Sequence, residues 1–386
     1  NTSQFASLGL LEPIDGLIEE YEGVSPKEYM SGWVKFATDE LFYDGHYYGL
    51  PMDTDTRGMY VNLDLADEAG VDRALLDPTN GPLTYEQMWE LDEQVSIQDE
   101  RGSYEQVTWI PWDDQASLLM WAIANKVPLY DNAECRMLLD EQPMLDVATM
   151  YADWVERLDF PRLDAFKATY QPPNAPPEQT SFFSGRQLFQ ITGPWGVQGQ
   201  ADYKPDMNYT VTHLPVPNEG DDPFTWAGGF SLTMPKGASM SEAAWRFMSF
   251  YAGYQGQKII ANGISRIPTN LETLADPEGW NQDIRFFAEL LGVPRAPNCH
   301  SSVASARCRG AGEPEPGLRH PGEPGQGGAG LRRSDHAAIL PVPAARGLRG
   351  TGSESPPARL SRSGGAGPRP RPVVRCSAQQ ACREPS

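Results

Sequence analysis

The strongest constraint on this chain is a break in its chemistry near residue 296. From there to residue 386 there is no Phe, Tyr, Trp, Met or Lys, and Gly, Pro, Arg, Ala and Ser dominate. Such a stretch carries too little apolar surface to offset its ordering entropy, and no helical or strand period survives in it. The break is abrupt and follows the helix-like run DIRFFAELLG. A basic interaction tail, for RNA for instance, is one reading. GC-rich codons read in a shifted frame also yield Gly, Pro, Arg and Ala, and this is the preferred reading. Residues 296–386 are therefore expected to be a frameshifted, disordered tail, and no function is assigned to them. Any fold lies before them.

The break also divides the charge. Thirteen Arg and six acidic residues fall in 296–386, so residues 1–295 hold 18 of the chain's 31 basic and 46 of its 52 acidic residues, a net of −28. Only seven of those basic residues are Lys. Aromatic and aliphatic residues for a core are abundant, so this is the pattern of a folded body with a heavily hydrated acidic surface, as expected in very high salt. The charge argues against nucleic acid and anionic membrane as partners. No apolar run reaches the roughly 18 residues a membrane helix requires. The opening NTSQFASLGLLEPIDGLIEEY has no signal-peptide pattern and begins inside a domain, so the N-terminus is expected to be truncated. The body holds one cysteine, Cys135, and the four in the tail match no zinc spacing.

Within the body, short strands alternate with helices, which means α/β. LTYEQMWELDEQV carries a capping box, Thr84 with Gln87. MLDVATMYADWVERL places Val147, Met150, Tyr151, Trp154 and Leu158 on one face. SMSEAAWRFMSFYAGYQGQKII reads as one helix starting on Ser241 and burying Ala244, Phe247, Met248 and Tyr251. Trp89, Trp154 and Trp245 read as core. The runs GMYVN, LFQIT, YTVTHLPV and FSLTMP read as strands.

The loops carry the functional signal. In YGLPMDTDTRGMYVN, Asp53 and Asp55 stand at strand spacing, about 7 Å apart on one face. In ITGPWGVQGQ, Gly193-Pro194 forces a turn that throws Trp195 outward. In FTWAGGFSLTMP, Trp226 precedes Gly228-Gly229, a pair that lets a ligand approach the backbone. Aromatic faces beside carboxylates suit a sugar, whose ring stacks while its hydroxyls bond. A carboxylate pair could also serve a glycosidase, but that chemistry needs the acids on opposite sides of the bond. His46 and His213 stand alone, and no metal or cofactor is expected.

The order of GLLEPIDGLIEEY, YGLPMDTDTRGMYVNLDLADEAGVD, PLTYEQMWEL, FFSGRQLFQITGPWGV, WAGGFSLTMPKGA and GISRIPTN resembles the extracellular solute-binding proteins of ABC importers, in the maltose-binding-like branch of family 1. Single motifs are weak, but six in order are specific. The resemblance implies a two-lobe periplasmic-binding-protein type II fold, with hinge crossings and an interlobe ligand cleft. Residues 1–50 and 227–295 would form an incomplete lobe one, and residues 51–226 lobe two. It implies ligand contacts from Asp53, Asp55, Thr56, Trp195, Trp226, Gly228 and Gly229. Arg57 is expected to pair with its acidic neighbours rather than to bind a phosphate or an acidic sugar. The implied function is non-enzymatic: an extracellular monomer captures an oligosaccharide or disaccharide and delivers it to ABC permease subunits. A carbohydrate-active hydrolase, or a binder of glycerol-phosphate or another non-sugar solute, is the alternative. Asp55→Ala is expected to abolish sugar binding and leave the fold intact.

Overall fold

The structure is a computed structural model that describes residues 2–292 apart from 114, 132, 133, 135, 173 and 239–241. The tail, Cys135 and the expected helix start at Ser241 lie outside the described residues. The elements used below are α1 (Asp15–Glu22), β1 (Gly49–Asp55), β2 (Gly58–Asn62), α2 (Tyr85–Val95) and α3 (Gln142–Arg157). They continue with β3 (Phe189–Thr192), α4 (Trp195–Tyr203), β4 (Tyr209–Thr212), β5 (Gly228–Thr233), α5 (Glu242–Ala252), α6 (Tyr254–Gly263) and α7 (Gln282–Glu289). All four runs read as strands are strands.

Two sheets organise the molecule. In the larger, β2 lies between β4 and β3, antiparallel to both. Every residue of β2 is buried, as its unbroken run of large side chains requires. The second sheet pairs β1 with β5, residues 173 to 184 apart in sequence. Two residues of chain, Thr56 and Arg57, thus lead from one sheet to the other.

The first lobe is built on Ile14, Ile18, Met30, Trp33, Leu50, Met234, Trp245 and Met248. The second is built on β2, β3, α2 and α3, with Trp109, Trp121 and Trp154 at its centre. Tyr85 meets Trp154 edge-on at 4.8 Å, and Trp121 meets Trp154 edge-on at 5.1 Å. Such pairs contribute about 0.5–1.5 kcal/mol each beyond burial. The α2 capping box is formed: Thr84 Oγ1 accepts the Gln87 N–H at 3.2 Å, and Gln87 Oε1 accepts the Thr84 N–H at 2.8 Å.

One difference from the sequence reading has a local cause. The single helix expected after residue 241 is two, α5 and α6, broken at Gly253. There the chain turns so tightly that a Cβ would stand 2.8 Å from the Ser249 carbonyl oxygen. The buried face of α5 runs through Trp245, Met248 and Ala252, and Phe247 is exposed. The helix α7 falls inside the 227–295 span. Its Ile284 and Phe287 share a core with Tyr60 and Val211 of the larger sheet. The i, i+3 spacing of those two residues gives the helix one apolar stripe, and it lies on the second lobe's sheet.

Candidate functional site

The β1–β5 ladder is where the sequence signals converge. Asp55 stands opposite Gly228, Thr54 opposite Gly229 and Asp53 opposite Phe230, with an irregularity between Phe230 and Ser231. The pairing dictates Gly229 and leaves Gly228 tight space. A Cβ on Gly229 would lie 2.3 Å from the Asp53 carbonyl oxygen, and one on Gly228 would lie 3.2 Å from Asp55 Oδ1. The close approach expected for a ligand is thus made by the neighbouring strand.

Asp55 and Arg57 form a closed unit. Asp55 Oδ1 accepts the Gly228 N–H at 2.9 Å and Arg57 Nη1–H at 2.5 Å. Arg57 Nε–H donates to Gln115 Oε1 at 3.0 Å. The Arg57 backbone is held by Thr225, whose Oγ1 accepts the Arg57 N–H at 2.8 Å and donates to its carbonyl at 3.0 Å. The guanidinium lies 4.0 Å from the Trp226 ring centroid and 4.8 Å from that of Trp195. Only 5% of the Arg57 side chain and 8% of the Asp55 side chain is exposed. The expected pairing of Arg57 with an acidic neighbour is therefore observed, with Asp55. A buried pair of this kind is costly to break from one side, because the survivor is left charged and unpaired.

Thr56 requires a correction. It is fully buried, and its hydroxyl donates to the Phe287 carbonyl at 2.8 Å. Strand alternation turns it away from the face of Asp53 and Asp55 and toward the α7 core. It anchors α7 and lies outside the cleft.

Trp195 opens α4, directly after the Gly193-Pro194 turn. Its ring folds back over Gly193, where a Cβ would sit 2.3 Å from the indole, rather than swinging outward. Tyr60 Oη donates to the Gly193 carbonyl at 2.9 Å and fixes that turn. Trp195 lines a cleft of about 410 Å³ with Gln190, Thr192, Gln198, Tyr203 and Arg266. Trp226 packs against the second lobe's core, and its buried indole N–H has no partner among the described residues.

Asp53 is held more loosely than Asp55. Its Oδ1 accepts the Phe230 N–H at 3.0 Å, and its Oδ2 lies 3.8 Å from Arg266 Nε. Asp53 lines a second cavity, of about 290 Å³, with Phe36, Gly229 and Phe230. Burial pushes its carboxyl up to about 6, against the lowering influence of Arg266 and the Phe230 amide, and Asp55 adds a smaller upward push. Arg266, Gln115 and Phe230 escaped the sequence reading. For Arg266 the available signal was SRIPTN, read only as a turn.

The site thus gathers Asp53, Asp55, Trp195, Trp226, Gly228 and Gly229 around two arginines. Among the described residues no group of three His, Cys, Asp or Glu could hold a metal ion, and no helix is long and apolar enough to cross a membrane.

Comparison with known proteins places these features. A family model described as bacterial extracellular solute-binding protein matches residues 1–288. A maltooligosaccharide ABC transporter solute-binding lipoprotein of Streptococcus pneumoniae is 30% identical over 106 residues, 28% of this chain and 25% of that protein. The maltotriose-binding protein of Pyrococcus abyssi is 25% identical over 287 residues, 73% of this chain and 56% of that protein. The match thus spans between a quarter and about half the length of these relatives. Among solved structures, CpMnBP1 with mannobiose bound superposes with a TM-score of 0.65 at 18% identity, covering 80% of this chain and 76% of that one. The GacH receptor of Streptomyces glaucescens, solved unliganded and with acarbose, gives 0.58 at 20% identity, covering 77% and 70%. At these identities the superpositions speak to the two-lobe fold alone.

Proposed function

The chain belongs to the bacterial extracellular solute-binding proteins, and from that premise we propose that it is the substrate-binding component of an ABC importer. It captures a sugar, an oligosaccharide or disaccharide, between its lobes and delivers it to the permease, working as a monomer outside the cytoplasmic membrane without chemically changing its cargo. The observation that carries this reading is the junction itself. Arg266, 3.8 Å from Asp53 of the β1–β5 ladder, lines with Trp195 the 410 Å³ cleft that also holds Gln190, Thr192, Gln198 and Tyr203. Aromatic rings and neutral hydrogen-bonding side chains around one cleft suit a ligand with apolar ring faces and hydroxyl edges. The names of the maltotriose and maltooligosaccharide relatives support the same class. We assign residues 1–50 and the segment from 227 through α6 to lobe one, and residues 51–226 with α7 to lobe two. The net charge of −28 on residues 1–295 supports a working environment of high salt.

The test is thermal unfolding and calorimetry of the full chain with maltotriose and with mannobiose, followed by chromatography of the sugar. A ligand at about a hundred times its Kd adds about 2.7 kcal/mol to stability. One of these sugars is expected to raise the melting temperature and to be recovered intact. Hydrolysed sugar, or no shift and no heat with either, rejects the reading.

A further inference from the structure

Among the described residues of the junction, Arg266 leaves its hydrogen-bonding capacity unspent, as does the buried indole N–H of Trp226. A guanidinium carries five N–H donors. Among the described residues those of Arg266 make no hydrogen bond, and the Asp53 carboxylate at 3.8 Å is beyond hydrogen-bond reach. The side chain is 25% exposed. Its guanidinium lies 5.6 Å from the Phe230 ring centroid and 5.8 Å from that of Trp195. It is therefore only partly hydrated, the side chain lines the 410 Å³ cleft, and among the described residues no acceptor reaches its donors.

The segment that carries it is held firmly. Ser265, the preceding residue, has φ +52°, an uncommon conformation for a residue with a Cβ. Ile267, the following residue, is fully buried, and its carbonyl accepts the Thr54 N–H at 2.8 Å. Arg266 is thereby pinned beside the crossing strand, next to Asp53. Gln257 ties the same loop down further along. Its Oε1 accepts the N–H groups of Thr269 and Asn270 at 2.6 and 2.7 Å, and its Nε2 donates to the Pro51 carbonyl at 3.2 Å. A strained residue held by surrounding bonds, beside a side chain with unspent donors, marks a constraint that serves a site.

The geometry points to Arg266 and Asp53 as a donor–acceptor clamp for a neutral polyhydroxy ligand: the guanidinium donates to one ligand oxygen, and the Asp53 carboxylate accepts from a neighbouring hydroxyl. This assignment rests on the sugar-binding reading and goes beyond it by naming the residue that selects the ligand. Neutrality follows from the charges present. Arg57 is cancelled by Asp55, Arg266 faces Asp53, and Asp202 lines the same cleft as Arg266. No surplus positive charge is left to hold a phosphate or a uronate. A carboxylate and a guanidinium slightly too far apart to bond each other are spaced so that a diol can bridge them.

The experiment is calorimetric titration of the full chain with maltotriose, mannobiose, galacturonate and glucose 6-phosphate. The wild type is expected to bind at least one neutral sugar, and neither anion more tightly. Arg266→Met keeps most of the stem and loses every donor, and it should weaken that sugar at least about tenfold. Arg266→Lys keeps the charge without the fork and should fall between the two. It also serves as the measurement if Arg266→Met does not fold, which the apo melting curve reports. Binding by Arg266→Met within about twofold of wild type overturns the clamp, as does tighter binding of either anion. If Arg266→Met does not fold, the same near-wild-type affinity in Arg266→Lys overturns it. If the wild type binds none of the four, the sugar reading beneath it falls as well.

Discussion

Two aspartates on the crossing strand each face an arginine, and the two pairs are built differently. Asp55 and Arg57 are both buried and bond at 2.5 Å. Asp53 is equally buried, but Arg266 is partly open and stands 3.8 Å away. Both aspartates accept a backbone N–H from β5, and both arginines lie near Trp195. One pair has its requirements met inside the protein. The other has an acceptor and a set of donors that do not meet. Residue type alone does not separate structure from recognition here, whereas hydrogen-bond saturation does.

The sharpest test of the comparison is Asp55→Ala. Because it strands a buried guanidinium, it should destabilise the fold by about 3–5 kcal/mol, read by denaturant unfolding. This replaces the expectation from sequence that the change would spare the fold. A loss below about 1 kcal/mol would erase the distinction between the pairs.

Asp53 gives the next largest effect, and its sign is opposite to that of an ordinary salt-bridged carboxylate. Its native carboxyl is raised to about 6, above the ordinary unfolded value of about 3.9. Between those values the native state holds a proton that the unfolded state has released. Stability therefore falls as pH rises from about 4 to about 6, and levels off above. Asp53→Asn keeps an acceptor for the Phe230 amide and removes the titration. The difference between variant and wild type should grow by about 2–3 kcal/mol in favour of the variant from pH 4 to pH 7. Unfolding free energies at the two pH values measure it, and parallel curves would contradict the account.

Gly229→Ala probes the ladder that both pairs share. Its Cβ would fall 2.3 Å from the Asp53 carbonyl oxygen, so the strands must part, at about 1–3 kcal/mol. The smallest effect comes from salt. Screening shortens from about 10 Å at 0.1 M to about 3 Å at 1 M, which relieves repulsion across the acidic surface. The melting temperature should rise by a few degrees, while the cost of Asp55→Ala, a buried effect, should change with salt by less than about 1 kcal/mol.

Much of the fold was legible because it is locally written. The Thr84 capping box, the buried run GMYVN and the order of the motifs depend on residues close in sequence, and each formed. The junction was legible in part: Trp195, Trp226, Asp53 and Asp55 do assemble there. Other features depended on distant partners. Thr56 was assigned to the ligand because its neighbours pointed there, but its hydroxyl is claimed by Phe287, 231 residues away. Arg266 owes its place beside Asp53 to Ile267, which bridges to Thr54 across the fold. The glycine pair was located correctly, yet its reason was the opposing strand. Local pattern reports periodicity and turns, but not what faces a residue across a fold.

The ladder between β1 and β5 also governs how the two lobes can move. The chain crosses between lobes at both strands, yet hydrogen bonds from Gly49–Thr233 to Asp55–Gly228 join the crossings into one ribbon. Sliding one crossing along the other would break those bonds, while flexing the ribbon beyond its last rung breaks none of them. At these two crossings the lobes therefore share one swivel, beside Asp55 and Gly228, and the passage from α6 to α7 is a further crossing outside it. A ligand that bridges the cleft therefore meets the two paired crossings as one stiffness rather than two independent ones.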